Sequence, residues 1–129
     1  MRHKHKRILE MNTGVVKTTS VLRNMLTSLI DSGKITTTGK KSRVLKAFAD
    51  SFFSRLVRIH SNNSDAADAK RQAISYIKSM LYTDSAGKKV MEDILPKMLA
   101  DGKKSGFVSN YKMWFRHGDA AEKVLVRLI

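Results

Sequence analysis

Apolar residues recur along this chain at two different periods. Over the stretch from about Gly14 to Ser32 the period is helical: Val21, Leu22, Met25, Leu26, Leu29 and Ile30 line one stripe, and Arg23, Asn24, Thr27 and Ser28 fall off it. Gly33 stands where a left-handed residue would close that helix. Lys34-Ile35-Thr36-Thr37-Thr38 is rich in β-branched side chains and predicts a short strand. From about Lys40 to His60 the wide apolar face of Val44, Leu45, Phe48, Phe52, Phe53, Leu56 and Ile59 predicts a second helix. Ser61-Asn62-Asn63 reads as a loop and Ser64 as the N-cap of a third helix that buries Ala69, Ala73, Ile74, Ile77 and Leu81. A fourth starts near Ser85, with Val90, Met91, Ile94 and Leu95 inward, and Pro96 ends or kinks it.

After the loop at Asp101–Gly106 the period drops to two. Phe107, Ser109, Tyr111, Met113 and Phe115 then share one strand face, and Val108, Asn110, Lys112, Trp114 and Arg116 the other. His117-Gly118-Asp119 signals a turn, and Val124 to Ile129 a second strand, so the two strands form an antiparallel hairpin with a loop longer than two residues. The order is α-β-α-α-α-β-β. It predicts an α+β fold, a helical layer packed on a small mixed sheet. Residues 1–12 show no apolar period and read as a basic N-terminal extension, flexible until bound. Residues 13–129 read as a single domain, since 129 residues suit one core rather than two.

Charge sharpens this picture. The formal net charge is +14, from 25 Lys and Arg against 11 Asp and Glu. It is concentrated at the two ends: 1–46 carry +9, 47–101 only +1, and 102–129 +4. So much like charge on a small chain calls for a polyanionic partner, namely RNA, DNA or an anionic membrane. The chain holds no Cys, which excludes disulfides and thiolate zinc sites and leans toward a reducing cytosol. No run of eighteen or more apolar residues is present to span a membrane. The basic start is not followed by the apolar core of a secretory signal. A membrane-surface role is disfavoured because the basic segment lacks an interleaved apolar face.

The basic start, with Arg2, His3, Lys4, Lys6 and Arg7, is the foremost candidate for phosphate contact. Lys40, Lys41, Arg43 and Lys46 open the second helix, where cations oppose the helix dipole. A bound phosphate would reverse that cost, and Thr37 and Thr38 could add hydroxyl contacts. Arg23 and Asn24 could face a nucleic acid, or Asn24 could satisfy neighbouring backbone. Lys112 and Arg116 could form a basic platform, with Trp114 expected to pack beneath a helix rather than to stack on bases. Little suggests an enzyme. His3 and His5 have no Cys or paired acid to complete a metal site, and His117 beside Asp119 has no nucleophile elbow or phosphate loop around it. No cofactor, metal or small-molecule substrate is expected.

Three stretches, taken in order, carry a family resemblance. They are Met1-Arg2-His3 with its basic run; Arg23-Asn24-Met25-Leu26-Thr27-Ser28-Leu29-Ile30 followed by Lys34-Ile35-Thr36-Thr37-Thr38 and then Lys41, Arg43 and Leu45; and Gly106-Phe107, Lys112 and Phe115-Arg116-His117-Gly118-Asp119-Ala120. Together they resemble the bacterial large-subunit ribosomal protein L17 family, as a divergent member. Where the family has H-R-K-A-M, this chain has Lys17-Thr18-Thr19-Ser20-Val21, in which Lys17 alone keeps a charge. The resemblance implies a structural component of the large ribosomal subunit, in the cytoplasm. Such a protein would pack large-subunit ribosomal RNA by neutralising phosphates, and would touch neighbouring ribosomal proteins. The alternative is a free architectural RNA- or DNA-binding protein acting off the ribosome.

Overall fold

Gly33 is the hinge between the first two elements. In the computed structural model, which describes Met11 and residues 13–129, helix α1 spans Val15–Ser32. Gly33 closes it at φ 77°, its amide donating to the Leu29 carbonyl at 2.7 Å, a shape that a residue without Cβ adopts freely. Strand β1 follows at once (Lys34–Thr38), then the long helix α2 (Gly39–Asn62) and helix α3 (Ala66–Met80). A helical run comes next: α4 (Asp84–Lys89), a π-helical segment Val90–Ile94 and α5 (Leu95–Ala100). Strands β2 (Val108–Phe115) and β3 (Glu122–Leu128) complete the chain. This is the expected α+β order.

The π segment has a local cause. Pro96 sits in the first turn of α5 and has no N–H to give the carbonyl four residues back. The helix widens just before it, and Leu95 bonds the Val90 carbonyl five residues behind. The expected kink is thus absorbed as a wide turn. The third helix is capped by Asp65, which accepts the Ala67 amide at 3.0 Å, and not by Ser64 one residue earlier.

The sheet has the order β1-β3-β2 and is antiparallel throughout, a correction to the expected mixed sheet. β1 pairs with β3 over Lys34↔Arg127 to Thr38↔Lys123, although some ninety residues separate them in the chain. A bulge between Lys112 and Phe115 sets Met113 and Trp114 against one residue of β3, so the expected strict alternation breaks there. Trp114 is 74% exposed, not packed under a helix, and its ring meets that of Phe115 edge on.

α2 is the spine. Leu45, Phe52, Phe53 and Leu56 are fully buried, packed with Leu26, Leu29 and Ile30 of α1 and with Phe107, Val108 and Val126 at the sheet. Phe53 meets Phe52 edge on at 5.1 Å and Phe107 at 5.9 Å. Met11 also joins this core. Ile74, expected inside α3, lies at its edge and is about one-third exposed. Two polar ties fix the sheet to α2. Asp50 Oδ1 accepts the amides of Phe107 and Val108 at 2.9 and 3.1 Å, and Asn110 Nδ2 donates to the Ser42 carbonyl at 3.1 Å. Among the described residues no helix is long and apolar enough to cross a membrane.

Candidate nucleic-acid interface

Where β1 runs into α2, the sequence leaves the helix start without an acid and without a side-chain cap: Thr38 is the N-cap residue and makes no capping hydrogen bond. The anion comes from elsewhere in the chain. A Cβ built on Gly39 would lie 2.9 Å from Glu122 Oε2, so the glycine leaves room for a carboxylate of β3 at the first turn of α2. Glu122 is also paired with Lys112, Nζ to Oε1 3.4 Å. The fold thus brings to this helix end a carboxylate that the local sequence lacks.

Beside this turn lies a groove of about 270 Å³, lined by Thr36, Thr37, Thr38, Lys41, Arg116, Ala121, Glu122 and Lys123. Four of the expected contact residues, Thr37, Thr38, Lys41 and Arg116, therefore meet in one place, with Lys123 added by the register Thr38↔Lys123. Lys40, Arg43 and Lys46 follow at spacings of three along the outer side of α2, all exposed, and Lys41 is exposed as well. Cations thus surround the groove and continue along the helix, with Glu122 the one carboxylate in the groove wall.

The hairpin end explains one motif directly. Arg116 donates to both oxygens of Asp119, from Nε to Oδ1 at 2.9 Å and from the second nitrogen to Oδ2. Asp119 Oδ1 also accepts the Ala121 amide at 3.2 Å. These bonds hold the Asp119 carboxyl well below the usual carboxylate range and raise Arg116. Gly118 takes φ 99° inside the turn they close. Asp119 is therefore a turn anchor, not the partner of His117 in a dyad, and Arg116 reaches the groove with part of its donor set committed.

The remaining expected residues do not join the groove. Arg23 turns inward: its Nε donates to the Met80 carbonyl at 3.1 Å and its guanidinium lies 4.6 Å from the Tyr82 ring centroid. It ties α1 to the end of α3, a role not expected of it from the sequence. Asn24 and Lys17 are exposed on α1, and Lys112 is held by Glu122. Arg2, His3, Lys4, Lys6 and Arg7 lie outside the described residues. Lys34, Lys123 and Arg127 were missed. Each stands alone in its strand sequence, and only the pairing register gathers them. Among the described residues, no group of three or more His, Cys, Asp or Glu side chains is placed to hold a metal.

Comparison with known proteins matches the family model described as ribosomal protein L17 over residues 21–129. The chain is similar to the large ribosomal subunit protein bL17 of Nautilia profundicola, 30% identical over 129 residues that cover 100% of this chain and 98% of the relative. It is 30% identical to the protein of that name from Thermotoga neapolitana, covering 100% and 95% of the two chains. It is 36% identical to that of Carboxydothermus hydrogenoformans, over 85% of this chain and 88% of the relative.

Proposed function

The chain belongs to the ribosomal protein L17 family, and on that premise we propose that it is a structural component of the large ribosomal subunit that binds and packs large-subunit ribosomal RNA. The observation that carries this reading is the basic groove at the start of α2, where Lys41, Arg116 and Lys123 converge beside Thr37 and Thr38. Lys40, Arg43 and Lys46 prolong it along the helix. The chemistry is neutralisation. Lysine and arginine displace counterions from phosphates, so RNA segments that repel one another can close up around the protein. The threonine hydroxyls add neutral hydrogen bonds to phosphate or ribose. The basic segment 1–12 supplies further phosphate contacts, and 13–129 acts as the single folded domain that aims them. The stretch 47–101, with a net charge of only +1, faces solvent or neighbouring ribosomal proteins. The protein's place is with the ribosome in the cytoplasm, and no catalytic step or cofactor enters this role.

The test is binding of the full chain to large-subunit ribosomal RNA over a range of salt concentrations. Replacing Lys41, Arg43 and Lys46 together by Ala should weaken binding and flatten the log–log salt slope by about 2 to 3, since each phosphate contact contributes about 0.7 to 0.9. An unchanged slope would remove the start of α2 from the interface.

A further inference from the structure

The helices cover one face of the sheet and leave the other open. Val108, Val124 and Val126 point into the core, and α2 lies against that side through Asn110 and Ser42. The register fixes what occupies the opposite side. Lys34, Thr36 and Thr38 of β1 lie beside Arg127, Leu125 and Lys123 of β3, and Ser109 and Tyr111 of β2 lie beyond Arg127 and Leu125. Met113 belongs there too, its sulfur 4.0 Å from Thr36 Oγ1 across the middle strand. Tyr111 and Met113 are each more than half exposed, and Lys34, Thr36 and Arg127 are exposed. Among the described residues, no Asp or Glu side chain lies on this face.

Two features of the face point to a polyanion. Lys34 stands directly opposite Arg127, and like charges in that relation destabilise a sheet unless an anion lies between them. The next cation, Lys123, stands four residues along β3 from Arg127, about 13 Å away, and the half-exposed ring of Tyr111 lies on the row between them. Cations that track a backbone next to an aromatic platform are the parts that hold unpaired nucleotides.

We propose that this open face binds a single-stranded stretch of RNA, with Tyr111 stacked on a base and Lys34, Lys123 and Arg127 on its phosphates. This rests on the RNA-binding reading above and extends it round the sheet edge, since Lys123 is shared with the groove. RNA is favoured over a protein partner because the face joins three cations to an exposed ring and, among the described residues, carries no carboxylate side chain. Duplex RNA offers no free base to the tyrosine, so the strand is single.

The experiment measures binding of the full chain to a labelled single-stranded oligouridine and to an RNA duplex of the same length. Tyr111→Leu should weaken the single strand about tenfold and leave the duplex nearly unchanged, and Tyr111→Phe should restore binding. Lys34→Ala with Arg127→Ala, which spares the groove, should lower the single-strand salt slope by about 1.4, two contacts at about 0.7 each. Urea melts of each variant establish that it is folded. If the parent chain binds RNA and both variants bind as it does, this proposal falls and the groove reading stands. Equal losses on strand and duplex would overturn the stacking assignment. Loss of a protein neighbour from isolated subunits, with RNA binding intact, would make the face a protein interface instead. A parent chain that binds neither RNA overturns both readings.

Discussion

Arg116 grips Asp119 across the hairpin turn with two guanidinium nitrogens, and Asp119 in turn accepts the Ala121 amide. The hydrogen bond from Arg116 is the main reason the Asp119 carboxyl titrates below its usual range. Because the folded value is lowered, the contact supports the turn fully above the unfolded Asp value of about 3.9, and that support fades as pH falls through the folded value. In an NMR pH titration the Ala121 amide should hold its shift as pH falls past about 3.9 and move only below it. A midpoint at or above the ordinary value would show the grip absent in solution.

Glu122 faces two demands of opposite sign. Its carboxylate lies by the first turn of α2, where it suits the helix dipole, and it also lines the basic groove, where it opposes an incoming phosphate. Glu122→Gln should therefore lower stability by about 0.3 to 1 kcal/mol while tightening RNA binding severalfold. Urea melts and salt-matched binding curves read the two effects separately. Movement of both in the same direction would mean that the carboxylate serves only one of these purposes.

Asp50 is the seam between α2 and the start of β2, accepting two successive amides with one oxygen. Asp50→Ala leaves both donors without that partner in a half-buried place. It should cost about 1.5 to 3 kcal/mol in urea unfolding, with Asp50→Asn costing less because its amide oxygen can still accept. Equal losses from the two variants would mean that the charge, not the acceptor, holds the seam.

Arg23 was expected to face RNA, and the structure gives it the Met80 carbonyl and the Tyr82 ring instead. Arg23→Gln should lower the unfolding midpoint, by about 1 to 2 kcal/mol in stability, and leave the salt slope of RNA binding unchanged. A slope reduced by about 0.7 or more with stability intact would return Arg23 to the interface.

Most of the helices were legible because a wide apolar stripe survives reading one residue at a time: all six stripe positions of α1 are buried or packed on the core. What the sequence hid depended on partners distant in the chain. Thr27 looked like a surface residue, yet it is buried, donating to the Arg23 carbonyl and accepting the Tyr82 amide. The antiparallel sheet order follows from β1 meeting β3, which no local pattern encodes. Trp114 was misplaced because period-two reading assumes an unbroken strand, and the bulge breaks it. For the groove, residue types pointed to Thr37, Thr38, Lys41 and Arg116, but Lys123 and the countering Glu122 became visible only through the fold.

The proposed function places this chain in the large ribosomal subunit. Its most direct test is sucrose-gradient fractionation of the source cell's lysate, with the protein located by mass spectrometry. The protein should be present stoichiometrically in the large-subunit and whole-ribosome peaks and be retained through a high-salt wash. A protein that stays at the top of the gradient, or strips off in moderate salt, would contradict it and would make the chain a free nucleic-acid-binding protein that keeps the family's fold without its place.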